Sequence, residues 1–139
     1  MKKVLFLLGF SIAAGTLSAQ EIRDAKNNVV NYIDIHSTSL LNKDKETVAI
    51  FRQDGRIVDP KSNTLGYIVH EHEIQDKNHK KVGEITGNGL MLDANNQTVG
   101  LLSYTGTGPV TDGHNKVIGF IDRVEPMWAA AYYLLLNKQ

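Results

Sequence analysis

A chain of 139 residues with fifteen basic and fifteen acidic side chains has no net charge to draw it toward nucleic acid or an anionic membrane surface. It holds no cysteine, which excludes disulfides, a thiol nucleophile and a lipid-modified cysteine anchor. With 42% hydrophobic residues it has apolar material for a buried core, and its length suits one domain.

The first element has the three-part layout of a secretory signal peptide: Lys2 and Lys3, an apolar run from Val4 to Ala14, and small residues up to Ala19. The run is shorter than the roughly 20 residues that a membrane span needs. Cleavage after Leu17-Ser18-Ala19 is expected, which leaves Gln20–Gln139 as a single domain of 120 residues in the periplasm or outside the cell. That mature segment carries 13 basic and 15 acidic side chains, still nearly neutral.

From Gln20 onward the chain repeats. An Asp or Asn is followed seven residues later by a small residue in Asp24/Asn31, Asn42/Ala49, Asp59/Gly66, Asp76/Gly83, Asp93/Gly100 and Asp112/Gly119. The first members are 18, 17, 17, 17 and 19 residues apart, so the units are contiguous. Two residues before them stand Ile22, Leu40, Ile57, Ile74, Met91 and Val110. Just before the small residue come Val30, Val48, Leu65, Val82, Val99 and Ile118, and two after it Ile33, Phe51, Ile68, Ile85, Leu102 and Ile121. Eighteen apolar residues in eighteen chosen places have a chance probability on the order of 10⁻⁷.

Each unit reads as strand, tip and strand, with Asp or Asn at the tip because its side chain bonds nearby backbone. The predicted units lie near 21–38, 39–54, 55–71, 72–88, 89–107 and 108–125. Apolar residues just before the glycine and two after it break strand alternation, which predicts partial cover on both faces of the second strand. The glycine column predicts crowding where a side chain would not fit. Hairpins of this size are marginal alone, so the units must pack on one another in a radial or closed pseudosymmetric all-β array. Units one and two carry Asn31 and Ala49 in place of glycine, as expected of atypical terminal copies. The connection Ser103–Pro109, after unit five, is longer and more irregular than the others.

Pro126, then Met127, Trp128, three alanines, two tyrosines and Leu134–Leu136, predict a short C-terminal helix over 126–136. Trp128, Ala131, Tyr132 and Leu135 share a face, but the segment is apolar nearly all round. It is expected to be buried as a plug or lid over the hairpins, with a dimer contact as the alternative.

Short D-x(6)-G hairpin units behind a signal peptide resemble the β-flower proteins, a family described by four-fold or five-fold symmetry. The resemblance is carried by Asp59–Ile68, Asp76–Ile85, Asp93–Leu102 and Asp112–Ile121, over residues 55–121. It implies a pseudosymmetric radial arrangement of hairpins and no activity that could be assigned to a residue. Six units depart from both symmetries, for which a partial or closing first hairpin would account.

Candidate chemistry is sparse. The repeated Asp24, Asp59, Asp76, Asp93 and Asp112 could ring a Ca²⁺ ion, but each hairpin needing its own turn cap explains them better. In His70-Glu71-His72-Glu73, residues two apart on a strand share a side, so His70 and His72 could hold Zn²⁺ or Cu²⁺ together. His36, His79 and His114 stand alone, and the basic run Lys77–Lys81 and the sequon Asn96-Gln97-Thr98 read as tips. No G-x-S-x-G elbow, phosphate loop or zinc-protease helix occurs. The pattern therefore predicts a non-catalytic structural or binding module of the bacterial envelope, without cofactor. Its partner is an unidentified protein or small ligand, and it is a monomer or a dimer through the C-terminal helix. The alternatives are a weak metal binder through His70 and His72 and a small periplasmic hydrolase. A ligand site should involve one of three departures from symmetry: the Ser103–Pro109 loop, the His70/His72 pair or the helix.

Overall fold

The computed structural model describes residues 20–138, and the expected signal segment, residues 1–19, lies outside the described residues. Twelve strands form six hairpins. They are β1 (Gln20–Asp24) with β2 (Val29–Asp34), β3 (Ser39–Asn42) with β4 (Thr47–Phe51), and β5 (Arg56–Val58) with β6 (Thr64–Val69). There follow β7 (Glu73–Asp76) with β8 (Lys81–Ile85), β9 (Leu90–Asp93) with β10 (Thr98–Leu101), and β11 (Gly108–Asp112) with β12 (Val117–Asp122). Every strand pairs antiparallel with its neighbours in sequence, and β1 pairs with β12 from Glu21↔Asp122 to Asp24↔Gly119, so the array is a closed barrel. The first unit is thus a complete hairpin that also closes the ring, not a partial one.

The six tips share one construction. In the first, Asn27 N–H donates to the Asp24 carbonyl, Asp24 N–H donates to the Asn28 carbonyl, and Asn27 takes a left-handed φ of 69°. The Asp24 carboxylate accepts from the N–H groups of Lys26 and Asn28, both at 2.9 Å. The same pair of bonds is made by Asn42, Asp59, Asp76, Asp93 and Asp112. This is a type I turn closed by a left-handed residue, which fixes hairpin register.

Just past each tip the ladder slips by one residue. Ile22 faces Asn31 while Arg23 faces Val29, leaving Val30 as a bulge. The slip recurs in every hairpin and skips Val48, Leu65, Val82, Val99 and Ile118. The apolar column before the small residue is therefore the bulge column, and this is why it breaks the alternation. Val48 and Ile118 are exposed, whereas Val30, Leu65, Val82 and Val99 lean on the core.

The barrel interior holds α1 (Pro126–Leu134), followed by a 3₁₀ turn at Leu136–Lys138. Ala129, Ala130 and Ala131 are each fully buried, although successive helical residues point about 100° apart. Protein therefore surrounds the helix on every side: it is a plug within the ring, not a lid on it. Twelve strands enclose more room than the eight that side chains alone can fill, and alanine keeps the helix slim enough to fit. The glycine column supplies the remaining space. A Cβ on Gly66 would lie 2.5 Å from both Leu135 Cδ2 and the Gln75 carbonyl oxygen, and one on Gly119 would lie 2.7 Å from the Tyr133 hydroxyl. Around the helix stand Ile22, Leu40, Ile57, Ile74, Met91 and Val110, all buried, as is most of the column after the glycine.

Candidate functional site

The barrel has two unlike ends. One carries the six tips, and the other, the mouth, carries the connections between hairpins and the start of α1. At the mouth a left-handed residue recurs every 17 positions, at Thr38, Gly55, Gly89, Gly106 and Arg123. Carbonyls at this register accept from the following hairpin, as in Phe51 N–H to Thr38, Ile68 N–H to Gly55, Leu102 N–H to Gly89 and Val124 N–H to Gly106. His72 takes the missing place and accepts from Ile85 N–H at 2.9 Å. Its turn differs from the others. Val69 and His72 bracket a two-residue connection in which both His70 (φ 54°) and Glu71 (φ 64°) are left-handed. Such turns favour Asn-Gly, so His-Glu holds the backbone in a conformation that costs energy.

His70 and His72 thus sit in the connection between units three and four, where polar residues are expected, and not side by side on a strand. Their ring centroids are 6.4 Å apart, and His72 Nδ1 lies 2.8 Å from the His70 carbonyl oxygen, which engages one ring nitrogen. Among the described residues no group of three or more His, Cys, Asp or Glu is placed to hold a metal ion. The five repeated aspartates cap their own tips. His36 and His114 are exposed in turns, and His79, also exposed, stacks on Tyr67 with centroids 4.2 Å apart.

A cleft of about 630 Å³ opens at the mouth. One wall is the β4–β5 turn, Arg52–Arg56, and another is the strained turn at His70 and Glu71. Tyr104 comes from the irregular loop, and Glu125, Met127 and Trp128 come from the start of α1. All three departures from symmetry therefore meet at one place, although they are far apart in the chain. Trp128 lies flat on Phe51, with centroids 4.9 Å apart and planes 4° from parallel. Across this stacked pair a second cleft of about 680 Å³ shares Phe51, Arg52, Gln53 and Trp128 and adds Ser37 and Thr38.

The charges in the first cleft nearly cancel. Arg56 Nε pairs with Asp54 Oδ2 at 3.1 Å, and the Arg56 N–H donates to Asp54 Oδ1 at 3.0 Å. That backbone N–H, with the Arg56 side chain and the Arg52 charge, holds the Asp54 carboxyl below the usual range. Glu125 Oε1 accepts from Met127 N–H at 3.3 Å and so caps the helix. Arg52, exposed, makes no ion pair or side-chain hydrogen bond among the described residues. Sequence reading named the three irregular features, the loop that carries Tyr104 among them, but missed Phe51 and Arg52 as wall residues. The 17-residue register of the mouth turns was the available signal, because it places residues 52–56, 70–71 and 104 on one rim.

A closed ring of antiparallel hairpins around an internal helix, with one regular and one irregular end, defines a plugged hairpin-repeat barrel. A family model described as "5-fold beta-flower protein" matches residues 14–137, and the chain belongs to that family. Six hairpins close this barrel, while five equal steps of 17 residues separate Thr38 from Arg123 at the mouth. The family's description names a symmetry and no reaction. No curated protein and no solved structure matches the chain.

Proposed function

We propose that this protein is a non-catalytic binding module of the bacterial cell envelope, exported after loss of residues 1–19, which presents the mouth of its plugged barrel to a ligand. One observation carries the reading: the irregular loop, the strained His70-Glu71 turn and the start of α1 line the same cleft. A pseudosymmetric scaffold repeats what it needs for folding, and binding needs a place where the copies differ. A rigid ring gives such a place a fixed shape. The 630 Å³ volume also lies within the range of small-ligand sites.

The test is amide NMR of the Gln20–Gln139 chain against a mixed panel of saccharides, nucleotides, amino acids and short peptides, with each compound assayed afterwards for chemical change. The expected result is a set of shifts at residues 52–56, 70–71, 104 and 125–128, with the compound recovered intact. Shifts confined to the tips, or turnover of the compound, overturn the reading. Intact mass of the periplasmic fraction checks export: a product beginning at Gln20 is expected, and one retaining residues 1–19 counts against it.

A further inference from the structure

We infer that the mouth takes a neutral oligosaccharide, a choice of ligand class that rests on the mouth being a binding site. The shape is the first argument. Two open clefts of about 630 and 680 Å³ flank one aromatic wall, Phe51 stacked on Trp128, so the site is elongated and divided by a ring system. A chain of two or three sugar rings fits such a form better than a compact metabolite, which calls for an enclosed pocket.

The second argument is the kind of surface. Tyr104 is 50% exposed, and Trp128 is only part-buried. A pyranose ring has an apolar face of C–H groups, which settle on the electron-rich face of an aromatic ring, and a rim of hydroxyls. Around these aromatics stand Arg52, Gln53 and Glu71, exposed side chains with fixed planar arrays of donors or acceptors suited to adjacent hydroxyls.

Charge and topology exclude the competitors. Two guanidinium groups face three carboxylates, and Arg56 and Glu125 are already committed to Asp54 and to the helix N-terminus. A phosphorylated or polyanionic ligand would find no net positive field. Extended peptides commonly bind by adding a strand to a free sheet edge, and this ring has none.

The experiment titrates the Gln20–Gln139 chain with the trimers of N-acetylglucosamine, maltose-type glucose and cellulose-type glucose, reading the emission of Trp128, the only tryptophan, together with amide NMR. At least one trimer should saturate the signal, with an affinity unchanged by about 0.5 M salt. Tyr104→Ala, at a half-exposed loop position, should weaken binding about tenfold while leaving the amide spectrum of the barrel intact. If no trimer shifts the mouth amides but glucose 1-phosphate or a nucleotide does, the sugar inference falls and the binding site stands. If nothing shifts them, both fall.

Discussion

The tip end and the mouth of this barrel are built from the same turn chemistry but treat it differently. At the tips six copies agree to the atom: an Asp or Asn side chain accepts from two backbone N–H groups, and a left-handed residue follows three positions on. At the mouth the turn survives at Arg52–Arg56 and Thr86–Leu90, where Gly55 and Gly89 take the left-handed place. It is replaced outright at His70-Glu71 and expanded at the Ser103–Pro109 loop. The tips are under a folding constraint that every hairpin shares. The mouth is where the copies are free to differ, and its two sharpest departures, the His70-Glu71 turn and the Ser103–Pro109 loop, both contribute to one cleft.

The comparison is broken most severely through the glycine column, which serves the fold and not the site. Gly66→Ala places a methyl group 2.5 Å from both Leu135 and the Gln75 carbonyl oxygen, so either the helix or strand β7 must move. A loss of about 3 kcal/mol in urea unfolding is expected. Ala49 occupies the same column in the second unit, where the barrel accepts a side chain. Ala49→Gly should therefore cost only about 1 kcal/mol, through backbone entropy and the lost methyl. Equal losses at the two positions would show that the helix does not crowd the glycine side of the ring.

A smaller and opposite effect sharpens the contrast at the mouth. His70→Asn with Glu71→Gly supplies the pair that a two-residue turn with positive φ favours. It is expected to stabilise the protein by about 1 kcal/mol in urea unfolding, while mouth amide shifts with the ligand shrink. A double variant no more stable than the parent would show that the His-Glu turn stores nothing.

The tips and the radial closure were legible because they depend on local chemistry repeated six times. An Asp that caps its own turn and a glycine that makes room for a helix leave a mark in every unit. The bulges were half legible. Val30 and its counterparts stood out as badly alternating, but a bulge is a property of pairing between strands, and no single strand declares it. The C-terminal helix was legible as buried, yet its position inside the ring follows from the width of a twelve-strand barrel, which local pattern does not contain. The cleft was legible only as separate irregularities. Phe51, His70, Tyr104 and Trp128 become neighbours only when the ring closes, and Phe51 belongs to a repeated apolar column that gives no sign of its stacking on Trp128.

The smallest effect expected is electrostatic, and it tests whether the two ends share the same carboxylate chemistry. At the tips the Asp24 and Asp112 carboxyls are held below their usual value mainly by backbone N–H groups of their own turns, and that of Asp59 mainly by the Asn63 side chain. At the mouth Asp34 and Asp54 are lowered in the same way, mainly by the backbone N–H groups of His36 and Arg56. A carboxyl whose folded value lies below its unfolded value of 3.8 stabilises the fold above that pH, and the contribution is lost as pH falls through the folded value. The thermal midpoint should therefore be nearly flat from about pH 7 to 5 and decline by a few degrees below about pH 4. Asp59→Asn keeps an oxygen acceptor for the turn and removes the titration, so its decline should be shallower than that of the parent. A midpoint that already falls at about pH 6 would show that the turn carboxylates are not what sets the acid response.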